Sequence, residues 1–351
     1  MNKTELAFVD KLISQQISLF RLAAGERKRF FDILLQAQKE LKTKLFTDLS
    51  DYGKAQVKKT LDQCTAIINA AYGGMQAELD LSGVAQHEAA ATAKSFTAIG
   101  IDAAMPTAAV MKALVSETLL SGAPLSAWWA KQGDDLSFRF TSAVRQGVVQ
   151  NENLQQIIRR VFGSARLGLP GIGFPAETLR RNASTLVHDS IMQIAGDARM
   201  ATYKANSDIM KGYRHLSTLD SHTSLGCVAR SGAQWDMNFR PVNGTTLPFA
   251  QTPIHPNCRS MIMPRLLTYR ELGLDRDEIP VGTRASDEGQ VRADITMAEW
   301  LKSKPKEYVD DLLGKGRARL FLDGKLTLPQ LLDFQGNPLD LNQLRAKYDK
   351  K

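Results

Sequence analysis

The stretch His215–Trp235, HLSTLDSHTSLGCVARSGAQW, brings two histidines, an aspartate and a cysteine into one short segment with β-prone residues at both ends. A second piece, Thr252–Ser260, TPIHPNCRS, repeats the theme with His255 and Cys258. Around them the texture of the chain changes. GYRHLSTL and AQWDM are rich in the β-branched and aromatic residues of strands, LPFAQTPIHP reads as short strands and turns, and Asn243-Gly244 is a strong hairpin-turn signal.

Upstream the pattern is helical. Residues from about Ala176 to Asn206 favour one long helix with a single interior glycine, Gly196, and SFRFTSAVRQGVVQNENLQQIIRRVFG reads as two helices broken near Gln150–Glu152. LGLPGIGFP, Leu167–Pro175, is expected as a loop. Over residues 54–79 the positions Val57, Leu61, Cys64, Ile68, Ala71 and Met75 recur at spacings of four and three, which puts them on one helix face and makes Cys64 a core thiol. Downstream, a charged connector leads to a tail in which Thr296 and Glu299 form a capping box and Pro305 restarts the helix.

The expected fold is therefore α+β. It comprises a helical N-terminal region over residues 1–133, a small α+β domain with short antiparallel strands over 134–266, a linker over 267–295 and a helical tail over 296–351. Trp300, Leu301, Leu320, Phe321 and Leu326 are expected to make that tail a cluster of its own.

A chain of 351 residues is long for a single core, and 43% hydrophobic residues argue for folded structure over most of it. No apolar run approaches a membrane span, and the N-terminus lacks a signal-peptide pattern, so the chain is expected to be made and retained in the cytoplasm or carried inside something assembled there, with no membrane partner evident from sequence. Three cysteines make no disulfide framework. The net charge of +8 favours weak, sequence-independent contact with a polyanion. Lys28, Arg29, Lys42, Lys44, Lys58 and Lys59 are the candidate surface for it, although acidic residues interrupt them.

Three chemistries compete for the two polar segments. Cys227, His255 and Cys258 are suitable zinc ligands, with His222 or Asp220 as a fourth, but the spacing lacks the two close pairs of common zinc modules. Cys227 with His255 and Asp220 has the residue types of a thiol nucleophile, without a surrounding signature. A one-metal nuclease would need a further histidine that does not follow Cys258. The remaining reading is a brace, in which Asp220 and Thr223 bond nearby backbone, His255-Pro256 reverses the chain, and Arg259 offers its planar fork to Asp220.

STLDSHTSLGCVARSGAQW followed by TPIHPNCRSMIMP resembles the motif pair of the phage Mu F-like head morphogenesis family, the minor head proteins of tailed bacteriophages. Thr218, Asp220, Thr223, Cys227, Gly232, Pro253, His255, Pro256, Asn257, Cys258 and Arg259 stand in the matching places. The start is one residue tighter, Ser184-Thr185 replaces an Arg-Thr-Glu, and Ser260 stands where the family often has a second cysteine. The likeness extends over residues 140–345, including the tail.

The resemblance implies a non-enzymatic minor capsid protein, present in few copies inside the bacteriophage virion and assembled in the host cytoplasm. Its partners would be the portal, other head proteins and double-stranded DNA, and its role head morphogenesis or DNA ejection. Thr218, Asp220, Thr223, Cys227, His255, Asn257, Cys258 and Arg259 are then structural. No cofactor is expected, with zinc on Cys227, His255 and Cys258 as the alternative. The competing function is a metal-dependent nuclease or thiol-dependent enzyme built on the same cluster.

Overall fold

The computed structural model describes residues 1–49, 54–275, 277 and 280–348. The first half is helical: α1 (Lys3–Asp48), α2 (Lys54–Glu78), α3 (Leu81–Ala98), α4 (Ala108–Glu117), a two-residue ladder β1 (Leu119–Leu120) and β2 (Ala123–Pro124), α5 (Leu125–Val149) and α6 (Leu154–Phe162). A second small ladder, β3 (Gly163–Ser164) and β4 (Leu169–Pro170), precedes α7 (Ala176–Ala205). Then come β5 (Met210–Leu216), α8 (Leu225–Arg230), β6 (Gln234–Trp235), β7 (Pro241–Val242), β8 (Met261–Leu266), and a hairpin of β9 (Thr283–Ser286) and β10 (Gly289–Arg292). Short helices α9 (Met297–Lys302), α10 (Lys306–Leu313), α11 (Lys315–Leu322) and α12 (Leu341–Tyr348) complete it. The chain is α+β with a helical N-terminal half. Among the described residues no helix is long and apolar enough to cross a membrane.

Contacts divide the chain into two units, each assembled from separated segments: Phe20–Leu81 with Glu117–Ile191 in one, and Met1–Leu19, Ser82–Ser116 and Met192 onward in the other. In the first, the apolar stripe of α2 is the core face, with Val57, Leu61, Cys64, Ile68 and Met75 buried and Ala71 half-buried. Phe30 of α1 meets Trp129 of α5 edge-on at 5.5 Å between ring centres, a favourable aromatic geometry. Burial pushes the Cys64 thiol up to about 12, as suits a packed, unreactive sulfur. The break between α5 and α6 falls where Asn153 caps α6 reciprocally with Gln156.

The second unit is organised by a four-stranded antiparallel sheet in the order β7-β6-β5-β8. β5 pairs β8 with His215 opposite Ile262 and Leu216 opposite Met261. A bulge interrupts this pairing between Met210 and Gly212. Gly212 has φ of +144°, and a Cβ there would lie 2.0 Å from the Trp235 carbonyl oxygen, so only glycine lets β6 approach. Phe8, Val9, Leu12 and Ile13 of α1, Phe96 of α3 and Tyr203 of α7 form one apolar core with Tyr213, Leu216, Met261 and Met263 of the sheet. Asn2 caps α1 and also donates to the Leu266 carbonyl at 2.8 Å, fixing the helix start to the end of β8.

A buried polar chain crosses this core. Arg199 of α7 pairs with Glu88 of α3 and donates to Gln16 of α1 at 2.7 Å. Both charged side chains are nearly sealed from solvent, at 4% and 1% exposure.

Three expectations change on contact with the structure. The tail does not form a cluster of its own: Trp300, Leu301, Leu320, Phe321 and Leu326 share one core with Leu219, Val228, Ala229 and Leu247. Its helices pack on one another and leave an apolar face that covers the α8 region. Nor is residues 267–295 a bare linker, since it carries the β9–β10 hairpin. Asp287 N–H bonds the Leu219 carbonyl at 3.0 Å, and Lys304 of the tail pairs with Glu288 while lying over the Trp300 ring. The Asn243-Gly244 turn forms, with both residues at positive φ, but no strand follows it: the Thr245 hydroxyl accepts the Gln234 N–H instead.

Removing one member of the Arg199–Glu88 pair leaves the other charge buried. Arg199→Ala is expected to cost about 3–5 kcal/mol in urea denaturation of the full chain. Replacing the pair together, Arg199→Met with Glu88→Leu, should recover most of that loss. A double variant no more stable than Arg199→Ala would show that the charges themselves hold these helices.

Candidate site at the His-Pro-Asn-Cys turn

The local sequence dictates a tight reversal. In His255-Pro256-Asn257-Cys258, proline fixes φ at the second position, and Asn257 takes the left-handed conformation at φ of +56°, which asparagine tolerates better than most residues. Cys258 N–H closes the turn on the His255 carbonyl at 3.2 Å. The imidazole and the thiol thereby emerge side by side. The approach to this turn rests on α7 at Gly196, where a Cβ would stand 2.7 Å from the Thr252 carbonyl oxygen. The interior glycine of that helix is thus the seat for the motif loop.

The other segment folds toward it from the end of β5. Asp220 makes an Asx turn, its Oδ1 accepting the His222 N–H at 2.9 Å and the Thr223 hydroxyl at 3.1 Å. Thr223 is also 2.9 Å from the Thr218 hydroxyl. Ser224 caps α8 by accepting the Cys227 N–H, and this helix presents Cys227 inward. Ser217, last before the loop, donates to the Cys227 carbonyl at 2.8 Å and accepts from Ser260 at 3.2 Å.

A charged clasp joins the two segments. Arg259 donates through Nε and Nη2 to Asp220 Oδ2, both at 2.8 Å. Burial pushes the Asp220 carboxyl up, but the Arg259 charge and hydrogen bonds from Arg259, Thr218 and the His222 N–H outweigh it, holding the carboxyl below its ordinary range.

The same two segments bring the sulfurs together. Cys227 Sγ is 3.7 Å from Cys258 Sγ and 3.2 Å from His255 Nε2. His255 Nδ1 donates to the Pro256 carbonyl at 2.8 Å, which leaves Nε2 as the lone-pair nitrogen facing Cys227 and the Ser224 hydroxyl, the latter at 2.6 Å. A hydrogen bond from Cys258 holds the Cys227 thiol low against its burial, with help from His215 and His255, and the same bond together with burial pushes Cys258 up.

Thr218, Asp220, Thr223, Cys227, His255, Cys258 and Arg259 therefore meet in one network, and Asn257 serves through its backbone. His222 and Asp220 do not complete a ligand set with the thiols: the first is exposed and the second is taken by Arg259. Besides His255, the buried His215 on β5 acts on the Cys227 thiol electrostatically. No periodicity marks it, because nearly every residue of β5 is buried on both faces. Of the basic candidates, Lys28, Lys58 and Lys59 are exposed, Arg29 is exposed but pairs with Glu26, Lys44 pairs with Asp48, and Lys42 lies over the Phe162 ring.

Comparison with known proteins gives no match, whether to a family model, a curated protein or a solved structure.

Because the Asp220 carboxyl is depressed, its ionised form favours the folded state. That contribution is complete above about pH 4, the unfolded value, and is lost as pH falls through the lower folded value. Asp220→Asn and Arg259→Ala should each cost about 1–3 kcal/mol at pH 7, and together less than their sum. The gap between wild type and Asp220→Asn should narrow as the solution is acidified below about pH 4. Denaturation curves at a series of pH values test this; a gap independent of pH would remove the ionised clasp.

Proposed function

We propose that the chain is a minor head protein of a tailed bacteriophage, of the Mu F-like kind, acting in head assembly or genome delivery through its surfaces rather than through catalysis. The observation that carries this reading is the convergence of the two motif segments, LDSHTSLGC and PIHPNCRS, into one hydrogen-bonded clasp centred on Asp220 and Arg259. Residues carried in such a pattern for a structural reason are expected to be satisfied by one another, and these are.

The enzymatic alternative draws support from the Cys227–His255 contact. Burial weighs against it. Cys227 and Cys258 are 1% and 0% exposed, and a nucleophile must reach its substrate. The DNA contact in this proposal rests on Lys28, Lys58 and Lys59, since Arg29, Lys42 and Lys44 are engaged within the protein. Binding to DNA is accordingly weak and electrostatic, and the portal and other head proteins are the principal partners.

The test is made in heads. Mass spectrometry of purified particles from cells producing the phage should find the chain at a few copies per major capsid lattice, and loss of the gene should yield heads that are misassembled or fail to deliver DNA. Wild-type particles lacking the chain would overturn the proposal. So would a turnover abolished by Cys227→Ala in protein that keeps its stability.

A further inference from the structure

A buried imidazole with neither nitrogen bonded calls for an explanation. His215 is 1% exposed, and neither Nδ1 nor Nε2 has a hydrogen-bond partner. Its ring lies in range of the Cys227 sulfur. Around that sulfur, one ligand atom each from Cys227, His255 and Cys258 lie within 4.8 Å of one another.

The spacing has a chemical meaning. Two sulfurs each about 2.3 Å from one tetrahedral zinc stand about 3.8 Å apart, and a sulfur and an imidazole nitrogen about 3.6 Å apart. The observed separations are 3.7 Å and 3.2 Å. His255 is also prepared as a ligand. Its Nδ1–H is committed to the Pro256 carbonyl, the outer bond that ordinarily fixes the tautomer of a metal-bound histidine. Cys227 comes from α8, His255 and Cys258 come from the turn, and His215 lies on β5.

We propose that Cys227, His255 and Cys258, already clustered, bind zinc in a structural role, and that the unpartnered imidazole of His215 moves onto the ion as its fourth ligand. Two thiolates and two imidazoles satisfy a tetrahedral zinc without a position for substrate, and the thiol protons leave to solvent as the ion enters. Such an ion ties the turn, α8 and β5 together at one point. The proposal rests on the spacing of the three clustered ligands and on the buried, unpartnered imidazole of His215, and stands or falls separately from the head-protein reading. It replaces His222 and Asp220, the fourth ligands expected from spacing, with a histidine from the strand.

Full-length protein purified under reducing conditions and reconstituted with zinc should carry one zinc per chain by elemental analysis. Cobalt in place of zinc should give the visible bands of a tetrahedral site and a near-ultraviolet thiolate-to-cobalt charge-transfer band. Cys258→Ser should weaken that band, and His215→Ala should weaken metal binding by more than about tenfold. If His215→Ala does not fold, His215→Cys remains informative: it should retain the metal and increase the charge-transfer intensity by adding a third thiolate. Absence of stoichiometric metal would overturn the proposal, as would a Cys227–Cys258 disulfide persisting in the reduced preparation. A cobalt spectrum unchanged in both His215 variants would remove His215 from the site.

Discussion

The pairing of β5 with β8 is the constraint on which the motif depends. Asp220 and Arg259 are far apart in sequence, and they meet because Leu216 stands opposite Met261 at the end of the ladder. Both strands are buried along almost their full length, so a slip of one residue would turn apolar side chains away from the core on α1, α3 and α7. The bulge at Gly212 and the close approach of β6 pin the register at the other end. The clasp thus inherits its precision from the sheet.

The helical elements were legible because their signals are local. The stripe on α2, the capping box at Thr296 and the break before α6 each follow from residues within a turn or two of one another. What escaped is non-local. The tail helices carry correct caps, but their sequence does not say that their core includes Leu219, Val228 and Leu247. Charge in the connector masked the hairpin, whose Arg284 is buried and bonded to the Ile295 carbonyl. At the candidate site, the residue types and the turn could be read from PIHPNCRS. The burial of His215 and its influence on Cys227 could not, because they follow from how β5 packs and not from spacing along the chain.

The polar groups of this unit form two systems with different energetics. Glu88 and Arg199 are sealed from water, and their ionised forms are tolerable only as a pair. The Asp220–Arg259 clasp is partly wet and is supported by neutral hydroxyls from Thr218 and Thr223. Gln16 stands between them: it accepts from Arg199 and donates toward the Arg259 carbonyl at 3.5 Å. The interior charges and the motif loop are therefore held by the same helix.

The interleaving of the two units has a consequence for the order in which the protein is made. All segments of the first have been synthesised by Ile191, so it is able to fold while the ribosome is still translating. The second begins with Met1 but lacks its sheet until β8 has emerged, and its second core waits for the tail helices. Its apolar residues Phe8, Val9 and Leu12 go uncovered by the sheet until β8 has been synthesised. That interval is when such a surface is open to mispairing or to a chaperone.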